Sequence, residues 1–345
     1  MTNLCDETKL SFRDVAIVPQ YSNISSRADV DVSTTLHPKL KLKVPIISSN
    51  MDTVTGWKMA VAMDKLGGLG ILHRFMSIED NVKEYNLAVA NGATQVGVSI
   101  GLGEDLERAK ALYSAGARIL CLDVAHAHNF YVGQMIEELK STFPDICLIV
   151  GNICTPKGLL FLAEKGADIV KVGQGTGAAC STKIKTGIGI PQFSAVYDCY
   201  DVAPAKVTII SDGGIVEPGD VGKALGAGAH AVMIGGLLSC VEEAAGEVTV
   251  DLSGNRFKTF RGMASSEAQL DFHGELKDYK IAEGASYKVK VEGTCESVIK
   301  TLVGGLNSTL SYCGCGNLNN FIGQAKFVKV THNGYIEGTP RGIKQ

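Results

Sequence analysis

Residues 171–186 read Lys-Val-Gly-Gln-Gly-Thr-Gly-Ala-Ala-Cys-Ser-Thr-Lys-Ile-Lys-Thr, so Cys180 ends a glycine-rich loop that follows a short apolar run. Gly173, Gly175 and Gly177 let the backbone turn sharply and approach a ligand closely. A thiol beside turned amides and Lys183 is in the setting that raises cysteine reactivity, which points to nucleophilic chemistry. The competing reading is a small core residue, because the chain holds 10 cysteines. They are scattered without zinc-ligand spacing, Cys313-Gly-Cys315 being too close, and most read as reduced, buried thiols.

Other candidates stand after apolar runs. Gly213-Gly214 and Gly235-Gly236 suit amides that close on phosphate oxygens, though turn glycines would read the same way one pair at a time. Asp212, just before the first pair, offers a carboxylate to a ribose diol or else caps the turn. Asp123 closes an apolar run in Leu-Asp-Val-Ala-His126, where a carboxylate is costly unless it faces an open mouth, so it is a ligand candidate. His126 and His128 follow it, and histidines near a strand end commonly satisfy backbone carbonyls.

These residues need elements to position them. Short β-rich runs begin at Pro45, Leu69, Gln95, Ile119, Cys147, Ile169, Thr208 and Ala231, mostly 22 to 28 residues apart, with helically periodic segments between them. Helix stops fall at Gly67, Gly92, Gly116 and Gly166. Eight such repeats predict an α/β protein, a (β/α)8 TIM barrel, with 1–345 as one catalytic domain. A doubly wound sheet shares the alternation, but no Gly-x-Gly-x-x-Gly follows the first run. The sixth interval is longest, about 39 residues, and contains Cys180, which marks the catalytic loop.

After the eighth run, residues 248–260 read as a hairpin turning at Ser253-Gly-Asn255. A polar excursion over 261–293, carrying Glu267, Lys280 and Glu283, reads as a lid. Residues 294–345 predict a final helix and an extended tail. A net charge of -3 without basic blocks excludes nucleic-acid polymers as partners. With no signal peptide or spanning segment, the expectation is a cytoplasmic protein.

Gly-x-Gly-x-Gly-x-x-Cys180-x-Thr182, Ser-Asp-Gly-Gly214, Met-Ile-Gly-Gly236, Arg261-Gly-Met-Ala-Ser265 and Asn50-Met-Asp-Thr-Val54 together resemble the inosine monophosphate dehydrogenase and GMP reductase family over nearly the whole chain. The resemblance implies a homotetramer of barrels in which the loop cysteine attacks C2 of a purine nucleotide to form a thioimidate. Two features resemble the reductase branch. No CBS-domain pair interrupts the chain after the second run, and 261–283 lacks the Arg-Tyr pair by which dehydrogenases activate water. Ser25-Ser-Arg-Ala-Asp-Val30 and the Ser-Ser-Glu267 after Met263 point the same way.

That likeness implies NADPH-dependent conversion of GMP to IMP and ammonia, with Thr182 and Glu283 handling protons for Cys180. Asp212, Gly213, Gly214, Gly235, Gly236, Gly262, Met263, Ala264, Lys280 and Gly284 would meet the nucleotide. Arg74, Asp123, Val124, Ala125, Gln174 and Gly175 would meet the cofactor, with Ser26, Arg27, Ser308 and Thr309 from a neighbouring subunit. Carbonyls of Gly175, Gly177 and Cys180 resemble the family's potassium site. The chain departs from the pattern at Gly-Thr-Gly-Ala-Ala-Cys180, where Gly-Pro-Gly-Ser-x-Cys is usual, and at Lys280, where animal reductases carry arginine. Residues 69–80 and Ala125-His-Ala-His128 look closer to the dehydrogenase branch, and Glu283 does not discriminate. A dehydrogenase without CBS domains and a non-catalytic nucleotide-binding scaffold are the alternatives.

Overall fold

The computed structural model describes residues 7–103, 105–275 and 281–340. Eight parallel strands close into a barrel: β1 (Ile46–Ser48), β2 (Leu69–Leu72), β3 (Val96–Ile100), β4 (Ile119–Asp123), β5 (Cys147–Ile153), β6 (Ile169–Val172), β7 (Thr208–Asp212) and β8 (Ala231–Ile234). Each strand expected from the sequence is present, and the fold is a (β/α)8 barrel.

Alternation builds the barrel. Ile47, Leu69, Ile71, Ile119, Cys121, Cys147, Ile149, Ile169, Ile210, Ala231 and Met233 fill its interior as one apolar cluster. The residues between them, such as Leu120, Leu122, Leu148, Val150, Val170 and Val172, join the larger core that includes the surrounding helices. Leu36, Leu40 and Leu42 join the inner cluster from a hairpin, Thr34–His37 with Leu40–Leu42, that sequence reasoning did not find.

The helices are α1 (Trp57–Lys65), α2 (Ile78–Ala90), α3 (Asp105–Ser114), α4 (Phe130–Thr142), α5 (Pro156–Lys165), α6 (Gln192–Val202), α7 (Pro218–Gly226) and α8 (Cys295–Tyr312). The four stop glycines, Gly67, Gly92, Gly116 and Gly166, all adopt positive φ, the conformation in which glycine carries no steric penalty.

The region after β8 is more structured than a polar excursion suggests. A hairpin pairs Thr249–Val250 with Arg256–Arg261, and Ser286–Lys290 returns antiparallel to the second arm. A flap helix, Ser266–His273, lies between them, capped by the Ser265 hydroxyl. The extended tail is corrected too: Phe327–Lys329 pairs antiparallel with Val15–Ile17, and a short helix spans His332–Glu337. That helix carries Asn-Gly rather than an apolar stripe, so its sequence gives no periodic signal. Among the described residues no helix is long and apolar enough to cross a membrane.

Candidate active site

The Cys180 loop is held on three sides. Below it, Gly173 leaves β6 at φ +149, where an added Cβ would stand 2.0 Å from the Asp212 carbonyl oxygen. Beside it, the Gly214 N–H donates to the Thr176 carbonyl at 3.1 Å, and the Thr176 hydroxyl donates to Gln192 Oε1 at 2.9 Å. Above it, the Ser181 N–H donates to the Glu283 carbonyl at 2.7 Å, and the Ala285 N–H donates to the Ala179 carbonyl at 3.0 Å. Flap and loop are therefore one bonded unit. Cys180 is exposed within it, and its Sγ donates to Thr182 Oγ1 at 3.1 Å. Thr182 thus meets Cys180 through its hydroxyl, and Glu283 meets the loop through its backbone carbonyl.

Lys183 packs beneath the loop. Its stem lies against Gly175 and Gly189, and its charge acts on Cys154. Leaving the short helix Thr182–Thr186 on that side, it fills space under the loop.

The strand-end glycines surround the same loop. Gly213, at φ +95, meets Thr176 and Gly177; Gly236 meets Ala178; Gly262 meets the Ala179 carbonyl. Gly214 is also left-handed, at φ +80, and Gly235 lies against Met51. The Met263 sulfur accepts from the Asp52 N–H at 3.3 Å, and the Ala264 carbonyl accepts from the N–H groups of Glu283 and Gly284. Lys280 lies outside the described residues.

A second wall rises from β2, β4 and β6. Gln174 Nε2 donates to the Ala125 carbonyl at 2.7 Å and meets His126 Nδ1 at 3.1 Å, while Cys154 Sγ donates to Gln174 Oε1 at 3.0 Å. The Val124 N–H donates to the Gly151 carbonyl at 2.9 Å. The Arg74 guanidinium lies over the Phe75 ring at 4.8 Å and 3.8 Å from Asp105, and its buried Nε has no hydrogen-bond partner among the described residues. His128 packs on Phe161 instead, with ring centroids 5.1 Å apart.

Ser26, Arg27, Ser308 and Thr309 are not at this mouth. The turn Arg27–Asp29 contacts α8, Arg27 reaches the Tyr312 hydroxyl on that helix, and Thr309 lies against Gly222 of α7. They form a separate patch on the flank of the barrel.

Sequence reasoning missed three groups. Lys171, 1% exposed, donates to Asp123 Oδ1 at 2.5 Å and to Asp212 Oδ2 at 3.3 Å. Asn152 Nδ2 donates to the same Asp212 oxygen at 2.9 Å. Arg261, known only as a motif residue, fixes the flap: Nε and one terminal nitrogen donate to Asp52 Oδ2, and the other nitrogen donates to Asp271 Oδ2. A lysine inside Ile169-Val-Lys-Val172 was the available signal for the first, since alternation points it inward with Ile169.

A model of the IMP dehydrogenase / GMP reductase domain matches residues 9–341. GMP reductase 1 of Mus musculus is 38% identical over 343 residues, covering 96% of this chain and 99% of that protein. GMP reductase of Enterobacter sp. (strain 638) is 38% identical over 333 residues, 94% of this chain and 96% of that one. Inosine-5'-monophosphate dehydrogenase of Cryptosporidium parvum is 36% identical over 379 residues, 95% of this chain and 94% of that one. With a barrel of this topology, a cysteine loop clipped to a flap and full-length likeness to both enzymes, the chain belongs to the IMP dehydrogenase/GMP reductase family.

Proposed function

We propose that the protein is a GMP reductase, a cytoplasmic homotetramer that converts GMP to IMP and ammonia at the expense of NADPH, in purine salvage. The observation that carries this reading is the flap sequence: residues 261–283 hold no Arg-Tyr pair, so the branch that must activate water has no agent there.

Cys180 Sγ, as thiolate, forms a bond to C2 of GMP; the exocyclic amine is protonated and its C–N bond breaks, releasing ammonia. Thr182, which accepts a hydrogen bond from that sulfur, and Glu283, tied to the loop through Ser181, are the proton-handling pair. When bound, NADPH supplies the hydride that C2 accepts. The C–S bond then breaks, giving IMP and the free thiolate. Asp212 takes the ribose diol, Gly213, Gly214, Gly235 and Gly236 the phosphate, and Gly262, Met263, Ala264, Lys280 and Gly284 the base side.

The Arg74 guanidinium, 23% exposed on the second wall, is a cation that suits an anionic dinucleotide. Arg74, Asp123, Val124, Ala125, Gln174 and Gly175 would hold it, with Ser26, Arg27, Ser308 and Thr309 of a neighbouring copy. Carbonyls of Gly175, Gly177 and Cys180 are the hard neutral oxygens that potassium prefers.

One observation favours a second reading, an IMP dehydrogenase oxidising IMP with NAD to XMP: the 36% identity to the Cryptosporidium enzyme. Incubating the protein with GMP and NADPH, beside IMP and NAD, decides between them. Loss of reduced cofactor with release of ammonia supports the reductase; NADH formed only from IMP overturns it. Turnover unchanged by Cys180→Ala would favour a scaffold contaminated by another enzyme.

A further inference from the structure

Among the largest fully buried side chains of the described residues is a lysine, Lys171. Alternation puts it in the barrel one layer above Ile169, and the registers align Asp123, Gly151 and Lys171 across β4, β5 and β6, with Ile210 opposite Lys171 on β7 and Asp212 two residues above. Gly151 leaves the passage open: a Cβ there would stand 2.5 Å from Lys171 Cβ. The ammonium thus crosses to Asp123 while still touching Asp212. Burial pushes its pKa down, but Asp123 and Asp212 outweigh it and raise it, so this lysine is a fixed cation rather than a base. At Asp123 burial works upward, and Lys171, Arg74 and a hydrogen bond from Asn50 outweigh it, holding the carboxyl below its usual range.

Two carboxylates therefore share one cation, and each faces a different wall of the mouth. Charge drawn by one is charge withheld from the other. Resting on the functional reading above, we infer that Lys171 is a positioning residue that couples the two sites: it divides its charge between the dinucleotide wall at Asp123 and the ribose-binding Asp212, so a change at either carboxylate alters affinity at the other.

The test is a double-mutant cycle read by calorimetric binding of GMP and of IMP, each without any dinucleotide. Asp123→Asn frees Lys171 to settle on Asp212, and nucleotide affinity is expected to fall about threefold to tenfold although Asp123 lies on the other wall. In a Lys171→Met background the same Asp123→Asn change is expected to leave nucleotide affinity unaltered. Equal effects of Asp123→Asn with and without the lysine overturn the coupling and leave Lys171 a structural brace. If Lys171→Met does not fold, Lys171→Gln serves in its place: it removes the charge while keeping a hydrogen-bond donor, and an unchanged Asp123→Asn effect again overturns the inference. Wild-type protein that binds neither nucleotide defeats the functional reading itself, which is a distinguishable result.

Discussion

The Ser181 N–H donates to the Glu283 carbonyl at 2.7 Å, so the residue after Cys180 is bonded to the residue that the proposed mechanism needs beside it. Loop and flap cannot separate without losing this bond and its neighbour from Ala285 to Ala179. A flap that opens therefore removes Glu283 from Cys180 in the same motion.

Replacing the proposed nucleophile tests the chemistry directly. Cys180→Ala is expected to lower turnover at least about a thousandfold while GMP still binds, because the proposed nucleotide contacts lie on other loops. Steady-state rates beside calorimetric titration check both halves.

Crowding the loop–flap contact should act at a distance from any reacting atom. At Gly262 an added Cβ would stand 2.6 Å from the Ala179 carbonyl, which is backbone and cannot swing aside. Gly262→Val is expected to cost about 1–3 kcal/mol of stability and to reduce kcat by more than about tenfold. Denaturant melts and rate measurements on the same preparation separate the two losses.

The two carboxylates on Arg261 should behave differently. Asp52 and Arg261 are both mostly buried, whereas the Asp271 side chain is 67% exposed. Asp52→Ala leaves a buried guanidinium short of a partner and is expected to cost about 3 kcal/mol. Asp271→Ala should cost less than about 1 kcal/mol. Urea unfolding of the two variants gives the comparison.

Acid should weaken the fold in a defined window. Burial lowers His230 from its ordinary 6.5 to about 4, and its Nδ1 accepts from the Ile209 N–H; burial likewise lowers His73 to about 4, with Nδ1 accepting from the Phe75 N–H. The unfolded chain takes up these protons first, so stability is full above pH 6.5 and is lost as pH falls toward about 4, by about 3 kcal/mol for each histidine. His230→Asn should flatten this slope in melts recorded across that range.

The strands and the Cys180 loop were legible because alternation, spacing and glycine placement are local properties of the chain. The convergence of Gly213, Gly236 and Gly262 on one loop could be expected only from their places at strand ends, and the barrel supplies it. Lys171 escaped notice because its meaning depends on two partners 48 and 41 residues away. The tail strand Phe327–Lys329 exists because Val15–Ile17 offers it an edge, which no local pattern announces.

The exposure of Cys180 has a practical side. Burial pushes the thiols of Cys121, Cys147 and Cys295 up to about 12, and those of Cys154, Cys199, Cys240, Cys313 and Cys315 are raised as well, while Cys180 alone among the described cysteines stands exposed. An alkylating reagent thus meets one exposed sulfur among the described cysteines. Label mapped to Cys180 then counts folded loops in any preparation, and a fluorophore placed there would report the flap's arrival.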